Sequence, residues 1–167
     1  MGIVHGSRSR RRTKAGASIG IAGVLTMLLA NTVLGTGPVG TAGAPTTLAD
    51  ATIQNTVNID ANGTHLKTKD QVRVLHQQRT ADPGWSSGWH HHTGPVIVTV
   101  VSGTFTFYDA NCGATPVSAG QGYIESTDEP VLARNESTTA SVTWITTQII
   151  PIGGSTRVDE PGRCGLL

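Results

Sequence analysis

Apolar and polar residues alternate in short runs along the chain after its first fifty residues. Within residues 104–108, Phe105 and Phe107 fall on one face of an extended strand, with polar residues between them. A period of two residues indicates a half-buried strand. Residues 96–101 are apolar almost throughout, which is typical of a buried strand.

These patterns predict an all-β fold. We predict strands near residues 55–59, 64–67, 71–79, 95–101, 104–108, 116–118, 122–125, 131–134 and 141–150. Asn62 and Gly63 predict a hairpin turn between the first two strands. Because no helical pattern lies between the strands, the order indicates a sandwich or barrel closed by antiparallel pairing.

The first fifty residues have a different composition. A basic cluster comes first and is formed by Arg8, Arg10, Arg11, Arg12 and Lys14. An apolar stretch and then a region of small residues follow, and this order predicts a signal peptide. We expect cleavage after Ala51 rather than after Ala44, with an uncleaved anchor as the alternative because a bilayer needs ~20 apolar residues.

This division gives a predicted domain organisation and location. Residues 1–51 are assigned to the signal peptide and linker, residues 52–155 to a β-barrel, and residues 156–167 to a C-terminal tail. Without its first 51 residues the chain has seven Lys and Arg against ten Asp and Glu, a net charge of −3. We therefore expect no nucleic-acid partner, membrane contact only through the N-terminal segment, and a secreted or cell-envelope location.

The two cysteines lie about fifty residues apart in the sequence. Cys112 lies in a predicted turn and Cys164 in the tail. An even number of cysteines in an exported chain predicts a disulfide, which would pin the tail to the barrel. The alternatives are two free thiols or a two-cysteine metal site.

Three consecutive histidines suggest a metal-binding site. His90 and His92 are two residues apart, so their side chains leave the same face of a strand, whereas His91 leaves the other face. Two imidazoles that converge from a strand form half of a divalent-metal site.

The spacing around these histidines resembles the first motif of the cupin superfamily. That motif has a glycine, five residues, His-x-His, three or four residues, a glutamate, six residues and a glycine. Gly84, His90, His92 and Gly103 fall in this frame, and Val96 stands at the glutamate position.

The second cupin motif is matched at its two ends. Gly120 and Asn135 stand at the first glycine and the final asparagine. The proline, glycine and histidine positions between them are occupied by Ser126, Asp128 and Val131. The resemblance covers residues 52–155.

The resemblance implies a cupin-type antiparallel β-barrel, also called a double-stranded β-helix or jelly roll. It further implies three histidines and one carboxylate around a divalent transition metal, namely iron, manganese, zinc, nickel or copper. Because Val96 and Val131 cannot bind a metal, we expect Glu125, at a strand end, or His76, on a neighbouring strand, to replace the missing ligands.

The resemblance also implies a ligand pocket and a partner. We expect Trp89, Phe105 and Phe107 to line a pocket for a small molecule, and the chain to form a homodimer. The predicted function is an exported cupin-type protein that binds a divalent metal or a small molecule in its barrel. The alternatives are a metal-dependent oxygenase or isomerase and a non-catalytic cell-envelope scaffold, so whether the protein is an enzyme stays open.

Overall fold

A computed structural model describes residue 2 and residues 34–166. The basic cluster and almost all of the apolar stretch of the predicted signal peptide lie outside these residues. Within the described residues, no helix is long and apolar enough to cross a membrane.

The described chain is built from strands. They are β1 (Thr46–Ile53), β2 (Asn58–Ala61), β3 (Thr64–Lys67), β4 (Val72–Ala81), β5 (His90–His91), β6 (Val96–Ser102), β7 (Thr104–Tyr108), β8 (Ala114–Ser118), β9 (Gly122–Glu125), β10 (Leu132–Arg134), β11 (Val142–Pro151) and β12 (Val158–Asp159). Every pair of neighbouring strands is antiparallel. The predicted all-β, antiparallel fold is confirmed.

Two sheets enclose the core. The larger sheet has the strand order β1-β4-β11-β6-β9, and the smaller has the order β10-β7-β8. In β6, Val96, Val98 and Val100 are buried while the residues between them are exposed. They pack with residues of the smaller sheet such as Phe105 and Phe107, so alternation along each strand produces one apolar interior.

The nine predicted strands are present with shifted ends, and the hairpin turn at Asn62 and Gly63 has the positive φ angles of 50° and 81° that such a turn requires. The prediction omitted β1, β5 and β12. Every residue of β1 is exposed, so this strand has no apolar alternation. Pairing with β4 defines it instead, from Thr46 opposite Gln78 to Ile53 opposite Val72.

The described fold begins before the predicted barrel boundary at residue 52. That boundary falls inside β1. Upstream of β1, the backbone of Thr36 donates to the carbonyl of Glu160 at 2.8 Å. Val39 and Ala42 form β-bridges with Ser86 and Ala81. The segment from Thr36 onward is therefore integrated into the barrel by backbone hydrogen bonds.

The predicted disulfide between Cys112 and Cys164 is present, with Cα atoms 5.7 Å apart, and it replaces the free-thiol and two-cysteine metal alternatives. It links the turn between β7 and β8 to the C-terminal tail. Closing a loop of 52 residues stabilises the fold by roughly 4 kcal/mol in the chain-entropy account.

Candidate metal site and its cavity

The strand β5 positions the two predicted histidine ligands. His90 exchanges two backbone hydrogen bonds with Val131 and lies opposite Asp159 of β12, so β5 is held on both sides. His92 follows directly after the strand. The two rings lie on the same side of the backbone, with centroids 4.9 Å apart, and both side chains are buried.

Glu125 brings a carboxylate to the same place from β9. It lies directly opposite Val96 of β6 in the antiparallel pairing of these strands. Residues in such a pair share one face of the sheet. The carboxylate therefore stands beside the position that holds the glutamate in the cupin motif, one strand away.

The three side chains converge closely enough for one ion. Metal-binding atoms of His90, His92 and Glu125 all lie within 4.8 Å of one another. The Nε2 atom of His92 is 2.7 Å from Oε2 of Glu125. Two imidazoles and one carboxylate form a donor set that suits a divalent transition metal.

Backbone carbonyls orient both imidazoles. Nδ1 of His92 lies 2.6 Å from the carbonyl oxygen of Thr156, and Nδ1 of His90 lies 2.9 Å from that of Gly88. A carbonyl oxygen accepts, so each Nδ1 carries a proton and donates it, and Nε2 is the nitrogen that each ring can offer to a metal. Metal-binding histidines are held in this way.

The Nε2 atom of His92 has no hydrogen-bond partner among the described residues, although Glu125 is so near. Its neighbour at 2.7 Å is the Oε2 atom of Glu125, and either a proton or a cation between the two atoms would satisfy both. The position therefore fits a bound metal ion.

Burial lowers the pKa of His90 from 6.5 to about 4. Glu125 opposes this shift, whereas Arg157 and His92 add to it. The imidazole of His90 is therefore neutral at pH 7. A neutral imidazole is the form that binds metals.

The two metal-ligand positions at which the chain departs from the cupin motifs lie beside the candidate ligands. Val96 is opposite Glu125, and Val131 is opposite His90. Both valines are buried. Three candidate protein ligands remain, and a transition metal held by three ligands would have open coordination positions.

Gln148 is a polar residue at this site that the sequence did not single out. It lies opposite Val96 on the side away from β9, is buried, and faces the same cavity as the histidines. Its Oε1 atom has no partner within the described residues. Its only signal in the sequence is a polar residue on the face of β11 that carries Val142, Trp144 and Ile150.

The site opens into a cavity of about 200 Å³. Phe105 and Phe107 line it, as predicted. Trp85 and Trp144 also line it, and their ring centroids are 5.5 Å apart. The cavity therefore has one aromatic wall next to the candidate metal ligands.

Trp89 does not line this cavity, which corrects the predicted pocket. It precedes His90, so its side chain leaves the opposite face and is buried under the tail. Its indole nitrogen donates to the carbonyls of Arg163 and Leu166, both at 3.2 Å. His91 leaves the same outer face, as predicted.

His76 is not brought to the site, which corrects its assignment as a substitute ligand. It lies on β4 beside Gln77, which lines the cavity, so the two side chains leave opposite faces. The ring nitrogen Nδ1 of His76 is 3.0 Å from the hydroxyl of Thr147, its cross-strand partner. Of the two expected substitutes, Glu125 is the one that lies with the histidines.

No protein-family model and no curated protein sequence matches the chain. Solved structures do resemble it. A protein with a double-stranded β-helix domain from Klebsiella pneumoniae is 19% identical over 65% of this chain and 81% of that one, with a TM-score of 0.47. A predicted oxalate decarboxylase from Thermotoga maritima is 22% identical over 50% and 84%, with a TM-score of 0.41.

A third similar structure is an RmlC-like cupin from Shewanella frigidimarina, which is 17% identical over 46% of this chain and 65% of that one, with a TM-score of 0.41. Identities at this level concern the fold and not the chemistry of a site. The chain is all-β, and the solved structures that it is similar to include cupin-type and double-stranded β-helix proteins.

Proposed function

We propose that this protein binds a divalent transition metal through His90, His92 and Glu125, and that the adjoining cavity holds a small molecule. The observation that carries the proposal is the convergence of three buried side chains, whose candidate ligand atoms lie within 4.8 Å of one another, with Nε2 of His92 2.7 Å from Oε2 of Glu125. Iron, manganese, zinc, nickel and copper all accept imidazole and carboxylate ligands.

The open coordination positions support a role for the cavity. The protein supplies three ligands, and the aromatic wall of Trp85 and Trp144 stands beside them. A small molecule in the cavity would reach the metal directly. The polar side chain of Gln148 supplies a further contact for it.

The metal content of the purified protein tests this proposal. We expect near-stoichiometric metal after purification without chelator, or after incubation with Fe²⁺, Mn²⁺ or Zn²⁺, and its loss from the double variant His90→Ala/His92→Ala. His76→Ala is the matched control, because it removes a histidine from the outer face of the barrel. Absence of metal from the wild-type protein under all these conditions would overturn the proposal.

A metal-dependent oxygenase is the second candidate, and the donor set favours it. Two histidines and one carboxylate with open positions are the ligands of non-haem Fe(II) oxygenases. Oxygen uptake by the Fe²⁺-loaded protein, compared with His90→Ala/His92→Ala, distinguishes this candidate from a binding protein. An isomerase would need the metal but no oxygen, and a scaffold would need neither.

We further propose that the protein acts outside the cytoplasm. The predicted signal peptide supports export, and the disulfide between Cys112 and Cys164 suits an oxidising compartment. Cell fractionation tests this location. Recovery of the protein only from the cytoplasm, with both cysteines reduced, would contradict it.

A further inference from the structure

Two arginines lie in the wall of the candidate metal cavity. They are Arg79 on β4 and Arg157, next to β12. Neither is required to hold a metal, and two cations beside a metal site are unfavourable without an anion. Their surroundings indicate what the cavity accepts.

Arg79 has no carboxylate partner among the described residues. Its Nε donates to the carbonyl of Gly43 at 2.8 Å, and its guanidinium carbon lies 5.5 Å from the centroid of the Trp85 ring. The backbone contact and the aromatic face fix the orientation of the side chain. The remaining N–H groups are available to a ligand, and a guanidinium offers them as a planar fork.

The side chain of Arg157 is held by two hydrogen bonds. Its Nε donates to Asp159 at 2.6 Å, and its Nη2 donates to the carbonyl of Ser87 at 2.7 Å. Burial lowers the pKa of Arg79, and the charge of Arg157 lowers that pKa further. Asp159 offsets the charge of Arg157, whereas Arg79 has no carboxylate partner among the described residues, so Arg79 is the cation that an anion in the cavity would pair with.

The charges around the cavity also favour an anionic ligand. Glu125 is the only carboxylate among the residues that line it, and Arg79 and Arg157 line it as cations, of which Arg157 is paired with Asp159 outside the lining. A divalent metal adds two more positive charges. A partly buried site with excess positive charge favours an anionic ligand. The neutral aromatic wall would contact the uncharged part of that ligand.

We propose that the ligand of this cavity is a compact organic carboxylate. Its carboxylate accepts hydrogen bonds from Arg79 with Arg157 nearby, and its apolar body packs against Trp85 and Trp144. A cavity of about 200 Å³ is smaller than the ~300–1,000 Å³ typical of drug-sized ligands, which is why the ligand is compact. The inference rests on the proposed function, because the same cavity holds the metal ligands.

Benzoate and its neutral analogue benzamide are the probes. Trp85 and Trp144 line the cavity, so tryptophan fluorescence reports binding, and calorimetry provides the affinity. We expect benzoate to bind at least about tenfold more tightly than benzamide, because charge-assisted hydrogen bonds to arginine are about twice as strong as neutral ones. Inorganic phosphate, an anion without an apolar body, should bind more weakly than benzoate.

Arginine variants locate the site. Arg79→Gln should weaken the binding of benzoate by about ten- to a hundredfold. Arg79→Lys keeps the charge but not the planar fork of N–H groups, so it should weaken the binding less. Arg73→Gln is the matched control, because Arg73 lies on the same strand but pairs with Asp50 outside the cavity. A thermal unfolding curve for each variant shows that it is folded.

Equal affinity for benzoate and benzamide would overturn the inference, as would an Arg79→Gln variant that binds benzoate within about twofold of the wild type. Phosphate binding tighter than benzoate would overturn it as well. Metal content is measured in every sample. Metal without arginine-dependent benzoate binding refutes this inference alone, whereas arginine-dependent binding in a protein that takes up no metal refutes the metal site alone.

Discussion

At the scale of single residues, the candidate metal site differs from the cupin motifs in the strand position of its carboxylate. Val96 occupies the position of the motif glutamate, and Glu125 supplies a carboxylate from directly across the strand pair. The carboxylate therefore comes from the neighbouring strand, and its oxygen atoms lie near His90 and His92. A missing motif residue therefore does not by itself mean a missing ligand.

The variant Glu125→Gln tests what the close contact with His92 means. We expect it to weaken metal binding by about ten- to a hundredfold, because one of the three candidate metal ligands is lost. In the metal-free protein, the new amide would donate to Nε2 of His92 and raise the free energy of unfolding by about 1 kcal/mol. Chemical unfolding with and without chelator measures both effects.

The control for this variant is Glu160→Gln, which removes a carboxylate that contacts His91 outside the cavity. It should leave metal affinity unchanged. If Glu125→Gln instead destabilised the metal-free protein, a charged hydrogen bond would join Glu125 and His92 when no metal is bound.

At the scale of secondary structure, alternation along strands explains both the successes and the errors of the sequence predictions. The strands β6, β7 and β11 were predictable because burial alternates along them. β1 was not, because it has no buried residue and forms only by pairing with β4.

Alternation also decided which predicted site residues reach the cavity. Glu125 points inward, whereas His76 and Trp89 leave the outer faces of their strands. Gln148, Arg79 and Arg157 come from three distant parts of the chain, so no local spacing relates them to the histidines. A site assembled across a barrel is visible in sequence only where one strand supplies two of its members.

The position of β1 changes the expected mature N-terminus. Cleavage after Ala51 would remove six of the eight residues of β1 and the contacts of Thr36. We therefore expect an exported protein to be cleaved before Thr36, and intact-mass measurement of the secreted form provides the site. A variant that lacks residues 1–51 should unfold at a lower temperature than one that lacks residues 1–33. Equal stability of the two would show that β1 is dispensable.

At the scale of the whole molecule, the C-terminal tail is part of the candidate site. The disulfide fixes Cys164 to the turn between β7 and β8, and β12 pairs with β5. The carbonyl of Thr156, near the start of the tail, orients His92. The predicted homodimer stays a prediction at this scale.

Removal of the disulfide should therefore affect stability and metal binding together. We expect Cys112→Ser/Cys164→Ser to lose roughly 4 kcal/mol of unfolding free energy and about tenfold in metal affinity, since the orientation of His92 is loosened. Urea unfolding and metal titration measure the two quantities. A non-chelating reductant should reproduce the effects in the wild type and change nothing in the variant. Unchanged metal affinity in the variant would separate the tail from the site.

The tail also gives the candidate site an order of assembly. Before the cysteines are oxidised, the segment that carries Thr156 is tethered only by hydrogen bonds, and the imidazole of His92 is correspondingly less confined. The site would thus mature after translocation, when the crosslink closes. If the protein is exported and binds a metal as proposed, it would acquire the ion from the medium outside the membrane rather than from the metal pool of the cytoplasm.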